Sequence, residues 1–346
     1  MAFLTDAERR TLKIDAMILH VVGQDPFVPE PARTVEHAPF FIARILDTDV
    51  SAVHSFEDDS ATRTRLERMA RSEEAFDAGA QALSREFSRL HGATTREGAF
   101  FIFALVTDDP RVRLYSLIKY DYREAIEQTG DDRHLLRRIV HAFIDDRKAI
   151  QKSALVRIVD GRADPAVAAH DRVTSTSEIS DYFAAFLGVR RTRSDRELNA
   201  EVAEVLRRTL QEARDVLPDH DVARALHHAK AVLRDRQQIH EEAIADAVLS
   251  AAGDPRDDDT RTRLLARTTR KLETAKLGGL VFPPDREVLE RPPLRRLRTV
   301  EGVVLSYPDE ADPVTVRRER TGQGGEVITI TTDHVLEDRL VPDHLR

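Results

Sequence analysis

Apolar residues in the N-terminal half of the chain follow first the period of a strand and then the period of a helix. Residues 12–22 are rich in β-forming side chains, and residues 35–46 and 60–90 carry apolar residues at steps of three and four. Alternating runs are typical of strands, and steps of three and four place side chains on one face of a helix. The sequence therefore predicts a strand over 12–22, a helix over 35–46 and one long helix over 60–90.

Two further apolar runs surround a turn. Residues 98–106 and 112–120 flank Thr107-Asp108-Asp109-Pro110, and residues 139–144 and 153–159 are two more strand candidates. Turn residues between two β-rich runs indicate an antiparallel hairpin. Strands that follow one another across short turns favour an antiparallel or mixed sheet over alternating β-α-β units.

The pattern becomes helical from about residue 174 and changes again at Gly278-Gly279. Apolar residues at helical spacing predict several short helices up to residue 277. Residues 299–305, 314–318 and 327–331 are short strand candidates. The sequence thus predicts an α+β fold with three parts: an N-terminal α+β domain (1–173), a helical domain (174–277) and a small C-terminal β unit (278–346).

Composition narrows the class of protein. Hydrophobic residues make up 41% of the 346 residues, which is enough to build real cores. The apolar runs are far shorter than the roughly 20 residues that cross a bilayer, and the first residues lack the pattern of a signal peptide. We therefore expect a cytoplasmic protein without membrane insertion. The chain has no cysteine, which excludes disulfides, thiol catalysis and zinc-thiolate sites.

The net charge of −8 hides a large number of arginines. Seven of the 53 basic side chains are lysines, which leaves 46 arginines. Arginine binds phosphate well, so a local basic patch on an acidic protein could bind nucleic acid. Three clusters are candidates, although each could also be an ordinary solvated surface. They are Arg190, Arg191 and Arg193; then Arg261, Arg263, Arg267, Arg270 and Lys271; and finally Arg295, Arg296 and Arg298.

One short pattern resembles a metal-dependent nuclease. Asp121 follows a predicted strand, and Asp146 and Lys148 form an Asp-x-Lys sequence after another. In such enzymes carboxylates hold Mg²⁺ and the lysine steadies the phosphate or its water. The same residues also fit a charged connector between strands. The chain lacks the sequence motifs of phosphate-loop NTPases, serine hydrolases and zinc proteases.

The order of several segments resembles the bacterial nucleoid-associated protein family (NdpA/YejK type). Each piece alone has low specificity, and the resemblance depends on their order over most of the chain. The segments are Ile14-Asp15-Ala16-Met17-Ile18-Leu19-His20, Phe101-Ile102-Phe103-Ala104-Leu105, Leu117-Ile118-Lys119-Tyr120-Asp121-Tyr122, Ala149-Ile150-Gln151-Lys152-Ser153-Ala154, Asp181-Tyr182-Phe183-Ala184-Ala185-Phe186-Leu187-Gly188, Thr299-Val300-Glu301-Gly302-Val303-Val304-Leu305 and Val327-Ile328-Thr329-Ile330.

The resemblance implies a DNA-associated protein of the nucleoid that self-associates, with a dimer favoured, and that contacts DNA-handling enzymes such as a topoisomerase. It implies no catalytic residue and no cofactor, and some members of the family may serve in phage defence. Lys119, Asp121 and Lys152 fall on the family's recurrent Lys-x-Asp and Gln-Lys positions. The turn Gly322-Gln323-Gly324-Gly325 departs from the family's usual Asn- and Asp-containing turn.

Three hypotheses follow. The first is a non-enzymatic protein that binds DNA, double-stranded in the first instance, through backbone phosphates. The second is the Mg²⁺-dependent nuclease that uses Asp121, Asp146 and Lys148. The third is a protein-interaction or DNA-sensing component of a phage-defence or DNA-repair assembly, in which the acidic surface meets a basic partner.

Overall fold

The computed structural model of the chain describes residues 3–23, 26–91, 97–121, 123–128, 136–142, 149–172, 177–322 and 324–337. Helices and strands both contribute extensively, and seven strands form one antiparallel sheet in the N-terminal half. The fold is therefore α+β, as the sequence predicts. Within these described ranges, no helix has the length and apolar character that spanning a bilayer requires.

The seven-stranded sheet has the order β1-β3-β4-β7-β8-β2-β9. The predicted hairpin is confirmed, because Ala99 to Val106 pair antiparallel with Tyr120 to Arg113. The strands of the described residues are β1 (Lys13–Val22), β2 (His54–Phe56), β3 (Gly98–Val106), β4 (Val112–Tyr120), β5 (Arg123–Gln128), β6 (Leu136–Ala142), β7 (Ile150–Val159), β8 (Arg162–Asp171), β9 (Val189–Arg191), β10 (Leu294–Arg298), β11 (Val304–Pro308), β12 (Val316–Arg320) and β13 (Glu326–Ile330).

Helices cover both faces of the sheet and build a separate layer after it. The helices of the described residues are α1 (Asp6–Thr11), α2 (Ala38–Asp47), α3 (Ala61–Ala70), α4 (Phe76–His91), α5 (Asp181–Leu187), α6 (Asp195–Glu212), α7 (Val222–Arg234), α8 (Glu241–Ala251), α9 (Asp258–Thr274) and α10 (Arg286–Glu290).

Strand β3 shows why its sequence is almost wholly apolar. Phe100 and Ile102 pack into a core with α3, α4 and α5 on one face of the sheet. Phe101 and Phe103 pack into a second core with residues of α2 on the other face. A strand that is covered on both faces buries every side chain, so the usual alternation of polar and apolar residues is absent.

The single helix predicted over 60–90 is wrong, because the chain forms α3 and α4 with a turn between them. Arg71 ends α3, and Ser72 adopts a positive φ of 59° that no helix continues. Leu66 and Met69 of α3 and Phe87 of α4 nevertheless belong to the same core. The helical pattern of apolar residues therefore runs across a break that neither glycine nor proline announces.

The helical layer has its own core, formed by α6 to α10 and including Leu280, Phe282 and Leu289. Two elements after residue 174 belong with the sheet instead. Phe183 and Phe186 of α5 pack in the core under the sheet, and β9 pairs with β2. The structural division between the sheet layer and the helical layer thus falls near residue 192, and the helical layer extends past residue 277 to Leu289.

The remaining strands form two-stranded ribbons. Strand β5 pairs with β6, which begins and ends earlier than the predicted strand over 139–144. After the helical layer, β10 pairs with β11 and β12 pairs with β13. Residues 294–298 were expected to be part of a proline-rich joint, and they form strand β10 instead.

Candidate nucleic-acid interface

Helix α9 carries the most concentrated group of basic residues in the described chain. The side chain of Asp257 caps the helix by accepting a hydrogen bond of 2.9 Å from the backbone N–H of Thr260. Leu264, Thr268 and Leu272, which recur every four residues, are buried against the helical layer. This buried stripe leaves the opposite side of the helix to solvent.

Four cationic side chains share that outer side of α9. Arg263, Arg267, Arg270 and Lys271 lie within an arc of about 100° around the helix axis. Together with Glu212 and Ala266 they line an open groove of about 490 Å³, which we call the α9 groove. Arg261 does not line this groove, because its position in the first turn faces another direction.

Glu212 is the one carboxylate among the residues that line the α9 groove. It is the last residue of α6 and lies 2.5 Å from the ammonium of Lys271. Arg267 donates a hydrogen bond of 2.6 Å to the backbone carbonyl of Glu212. The hydrogen bond from Lys271, together with the charges of Arg267 and Arg270, holds the pKa of Glu212 below its usual value.

The first predicted arginine cluster is largely bound within the protein. Arg191 pairs with Glu178 and Asp195. Arg193 pairs with Glu201 and donates hydrogen bonds to the carbonyl oxygens of Ala275 and Lys276, at the C-terminal end of α9. A guanidinium at this place satisfies carbonyls that the helix leaves without partners. Only Arg190, exposed on β9, presents its side chain to solvent.

The third cluster lies on strand β10. Arg295 is half-buried and pairs with Asp309, which follows β11. Arg296 and Arg298 are exposed and alternate with residues on the other face of the ribbon. The three clusters therefore differ: the α9 groove is rich in exposed cations, whereas the other two each combine exposed arginines with arginines that hold the fold together.

The residues of the nuclease hypothesis divide between described and undescribed parts of the chain. Asp146 and Lys148 lie outside the described residues. Asp121 follows β4, is buried, and accepts a hydrogen bond of 3.3 Å from Arg172. The nuclease hypothesis stays a prediction.

Asp121 borders an ionic cluster at one end of the sheet. Lys119 lies opposite Lys152 across β4 and β7, and Lys152 lies opposite Asp171 on β8. All three are fully or almost fully buried. The ammonium of Lys152 pairs with Asp171, donates a hydrogen bond of 2.9 Å to the Ser180 hydroxyl and lies 4.7 Å from the ring centre of Tyr182. The cluster thus joins the sheet to the start of α5.

Burial has different consequences for two members of this cluster. It lowers the pKa of Lys119 to about 8, and the neighbouring charge of Lys152 acts in the same direction, against Asp121 and Asp171. Burial alone would raise the pKa of Asp171, but Lys152 and Ser180 hold it below its usual value. Asp171 is therefore a carboxylate, whereas Lys119 titrates close to neutral pH.

Sequence reasoning missed Glu212 and Asp171. Glu212 lies some fifty residues before the arginines that it contacts, and only the packing of α6 on α9 brings them together. For Asp171 a signal was present, because Lys119 and Lys152 are charges inside apolar strands. A buried lysine of this kind calls for a carboxylate on a neighbouring strand.

Comparison with known proteins adds no relative: no protein-family model matches the chain, and no curated protein matches it. The resemblance to the nucleoid-associated family stays a prediction.

Proposed function

We propose that this protein binds DNA through the phosphate backbone, with the α9 groove as the centre of its interface and without catalysing a reaction. The observation that carries the proposal is the convergence of Arg263, Arg267, Arg270 and Lys271 around one open groove that has a single carboxylate. Four cations and one anion give this surface a local charge opposite to that of the whole chain, which is −8.

The chemistry of the groove favours phosphate over a base edge. Guanidinium groups form paired hydrogen bonds with phosphate oxygens, and lysine contributes a point charge. The groove offers few apolar or aromatic residues on which bases could stack. Contacts of this kind fix a protein on the duplex without reading its sequence. Arg190, Arg296 and Arg298, which are exposed, extend the proposed contact surface.

The nucleoid as cellular location, a homodimer and contact with a DNA-handling enzyme are the parts of this proposal that come from the family resemblance. A role in phage defence has the same origin. A pull-down that survives nuclease treatment would separate direct protein partners from partners that are bridged by DNA.

Reversing three charges in the α9 groove tests the proposal. We expect the variant Arg263→Glu, Arg267→Glu, Arg270→Glu to lose affinity equally for duplexes of unrelated sequence, because phosphates are the same in all of them. With about four phosphate contacts, the affinity of the unchanged protein should fall about 100-fold between 50 and 200 mM salt. Fluorescence anisotropy with two labelled duplexes measures both quantities.

The matched control is Arg68→Glu, Arg85→Glu, Arg89→Glu. These three arginines are exposed on α3 and α4, under the sheet and away from α9, and their reversal changes the net charge by the same amount. Equal affinity losses in the two triple variants would mean that only net charge matters. The α9 groove would then not be the interface.

A further inference from the structure

Glu212 occupies an unfavourable position for a carboxylate. As the last residue of α6 it lies at the negative end of the helix dipole, where cations are stabilised and anions are not. Its side chain is about half exposed, at 53%. It also reduces the positive charge of the only groove in which the arginines of α9 converge.

The contacts of Glu212 are those that a phosphate would make. One carboxylate oxygen lies 2.5 Å from the Lys271 ammonium, and the other lies 3.9 Å from the Arg267 guanidinium. A phosphate diester carries the same single negative charge and the same kind of acceptor oxygens. The carboxylate therefore lies where Lys271 and Arg267 would hold a phosphate of the DNA backbone.

We propose that Glu212 is an internal competitor of DNA, and that a backbone phosphate displaces its carboxylate from Lys271 and Arg267. This inference rests on the proposed function, because it places a DNA phosphate in the α9 groove. Binding then exchanges one ion pair for another, so Glu212 weakens association with every duplex and lowers the number of counterions that binding releases. Free phosphate would bind to the same two cations, but without the neighbouring phosphates that a duplex supplies.

The variant Glu212→Gln tests the competition, because glutamine keeps the size of the side chain and removes its charge. We expect duplex affinity to rise about five-fold at 100 mM salt. The slope of log affinity against log salt should become steeper by about one. Glu204→Gln is the matched control: Glu204 is on the same helix and pairs with Arg207 and Arg208 instead. It should leave affinity and slope within two-fold of the unchanged protein.

A double-variant cycle separates competition from a general change in charge. If Glu212 competes for Lys271, then Glu212→Gln should gain much less affinity when Lys271→Gln is already present. Adding inorganic phosphate at equal ionic strength to chloride should displace labelled duplex no better than chloride does. Displacement by inorganic phosphate alone would show a site for free phosphate and overturn the assignment to DNA.

The outcomes distinguish the two proposals. If the triple reversal in the α9 groove abolishes binding but Glu212→Gln behaves as Glu204→Gln does, then the interface is right and the competitor is wrong. If neither the triple reversal nor Glu212→Gln changes affinity, both proposals fail.

Discussion

His54 is a buried histidine whose environment opposes its protonation. It lies in β2, and its side chain is almost fully buried. Burial, with the charge of Arg191, lowers its pKa to about 4. In the unfolded chain a histidine binds its proton near pH 6.5. Between these two values the unfolded state binds more protons, so the free energy of unfolding falls as the pH falls from 6.5 towards 4.

We expect this single group to lower the free energy of unfolding by about 2 kcal/mol between pH 7 and pH 5. His54→Gln should remove that part of the pH dependence, as urea unfolding at the two pH values measures. His227→Gln, at an exposed histidine, is the control and should keep it. An unchanged pH dependence in His54→Gln would show that His54 is not buried as a neutral group.

Lys119 gives the opposite dependence at alkaline pH. Its pKa in the folded protein is about 8, below the ordinary value of 10.5. The folded state therefore loses its proton first, and the free energy of unfolding should rise by about 2 kcal/mol between pH 7.5 and 9.5. Lys119→Met should abolish this rise in urea unfolding experiments, whereas Lys13→Met, at an exposed position, should retain it. A variant that kept the full rise would contradict the assignment to Lys119.

At the scale of elements, capping residues mark where helices begin. The hydroxyl of Ser194 accepts a hydrogen bond from the backbone N–H of Glu197, and the Glu197 side chain accepts one from the backbone of Ser194. This capping box begins α6, the helix that carries Glu212 to the α9 groove.

We expect Ser194→Ala to lower the free energy of unfolding by about 1 kcal/mol, because it leaves a helix N–H without its partner. Ser194→Asp keeps an acceptor at the same position and should stay close to the unchanged protein. Urea unfolding at pH 7 measures both variants. Equal losses in the two variants would mean that the hydroxyl acts through packing and not as a cap.

Most elements could be predicted from the sequence because their residues state their own period. The hairpin of β3 and β4 follows from two apolar runs around an Asp-Asp-Pro turn. The break between α3 and α4 and the strand β10 could not be predicted in this way. The first depends on the left-handed backbone of Ser72, and the second on a pairing partner, β11, that an arginine-rich segment does not reveal.

The candidate site shows the same division. The spacing of Arg263, Arg267 and Arg270 predicts one basic helix face, and the structure describes these side chains around one groove. The roles of Arg193 and Glu212 could not be predicted, because each depends on the contact between α6 and α9. A one-dimensional pattern identifies which residues share a helix face, but not which distant side chain neutralises them.

At the scale of the whole molecule, the C-terminal ribbons contribute little buried surface. Nine large aliphatic side chains between residues 294 and 336 are exposed, and only Tyr307 and Val316 in this region are buried. Two-stranded ribbons have little stability of their own. The sheet layer and the helical layer, in contrast, each have an extensive core.

We therefore expect a chain that ends after Pro293 to keep the urea unfolding midpoint of the whole protein, since its two main cores are intact. Circular dichroism at 222 nm and intrinsic tyrosine fluorescence follow the transition. A clearly lower midpoint would show that the ribbons stabilise the helical layer. Ending the chain after Gly279 is the destabilising control, because it removes Phe282 and Leu289 from a core.

Strand β2 lies between β8 and β9, although it comes early in the chain. Its partner Val167 emerges from the ribosome more than one hundred residues after His54. During synthesis β2 therefore waits without neighbours while the hairpin of β3 and β4 can already close. The last two edges of the sheet can join only when Arg191 has been made, so completion of this sheet belongs to a late stage of folding that long-range pairing makes slow.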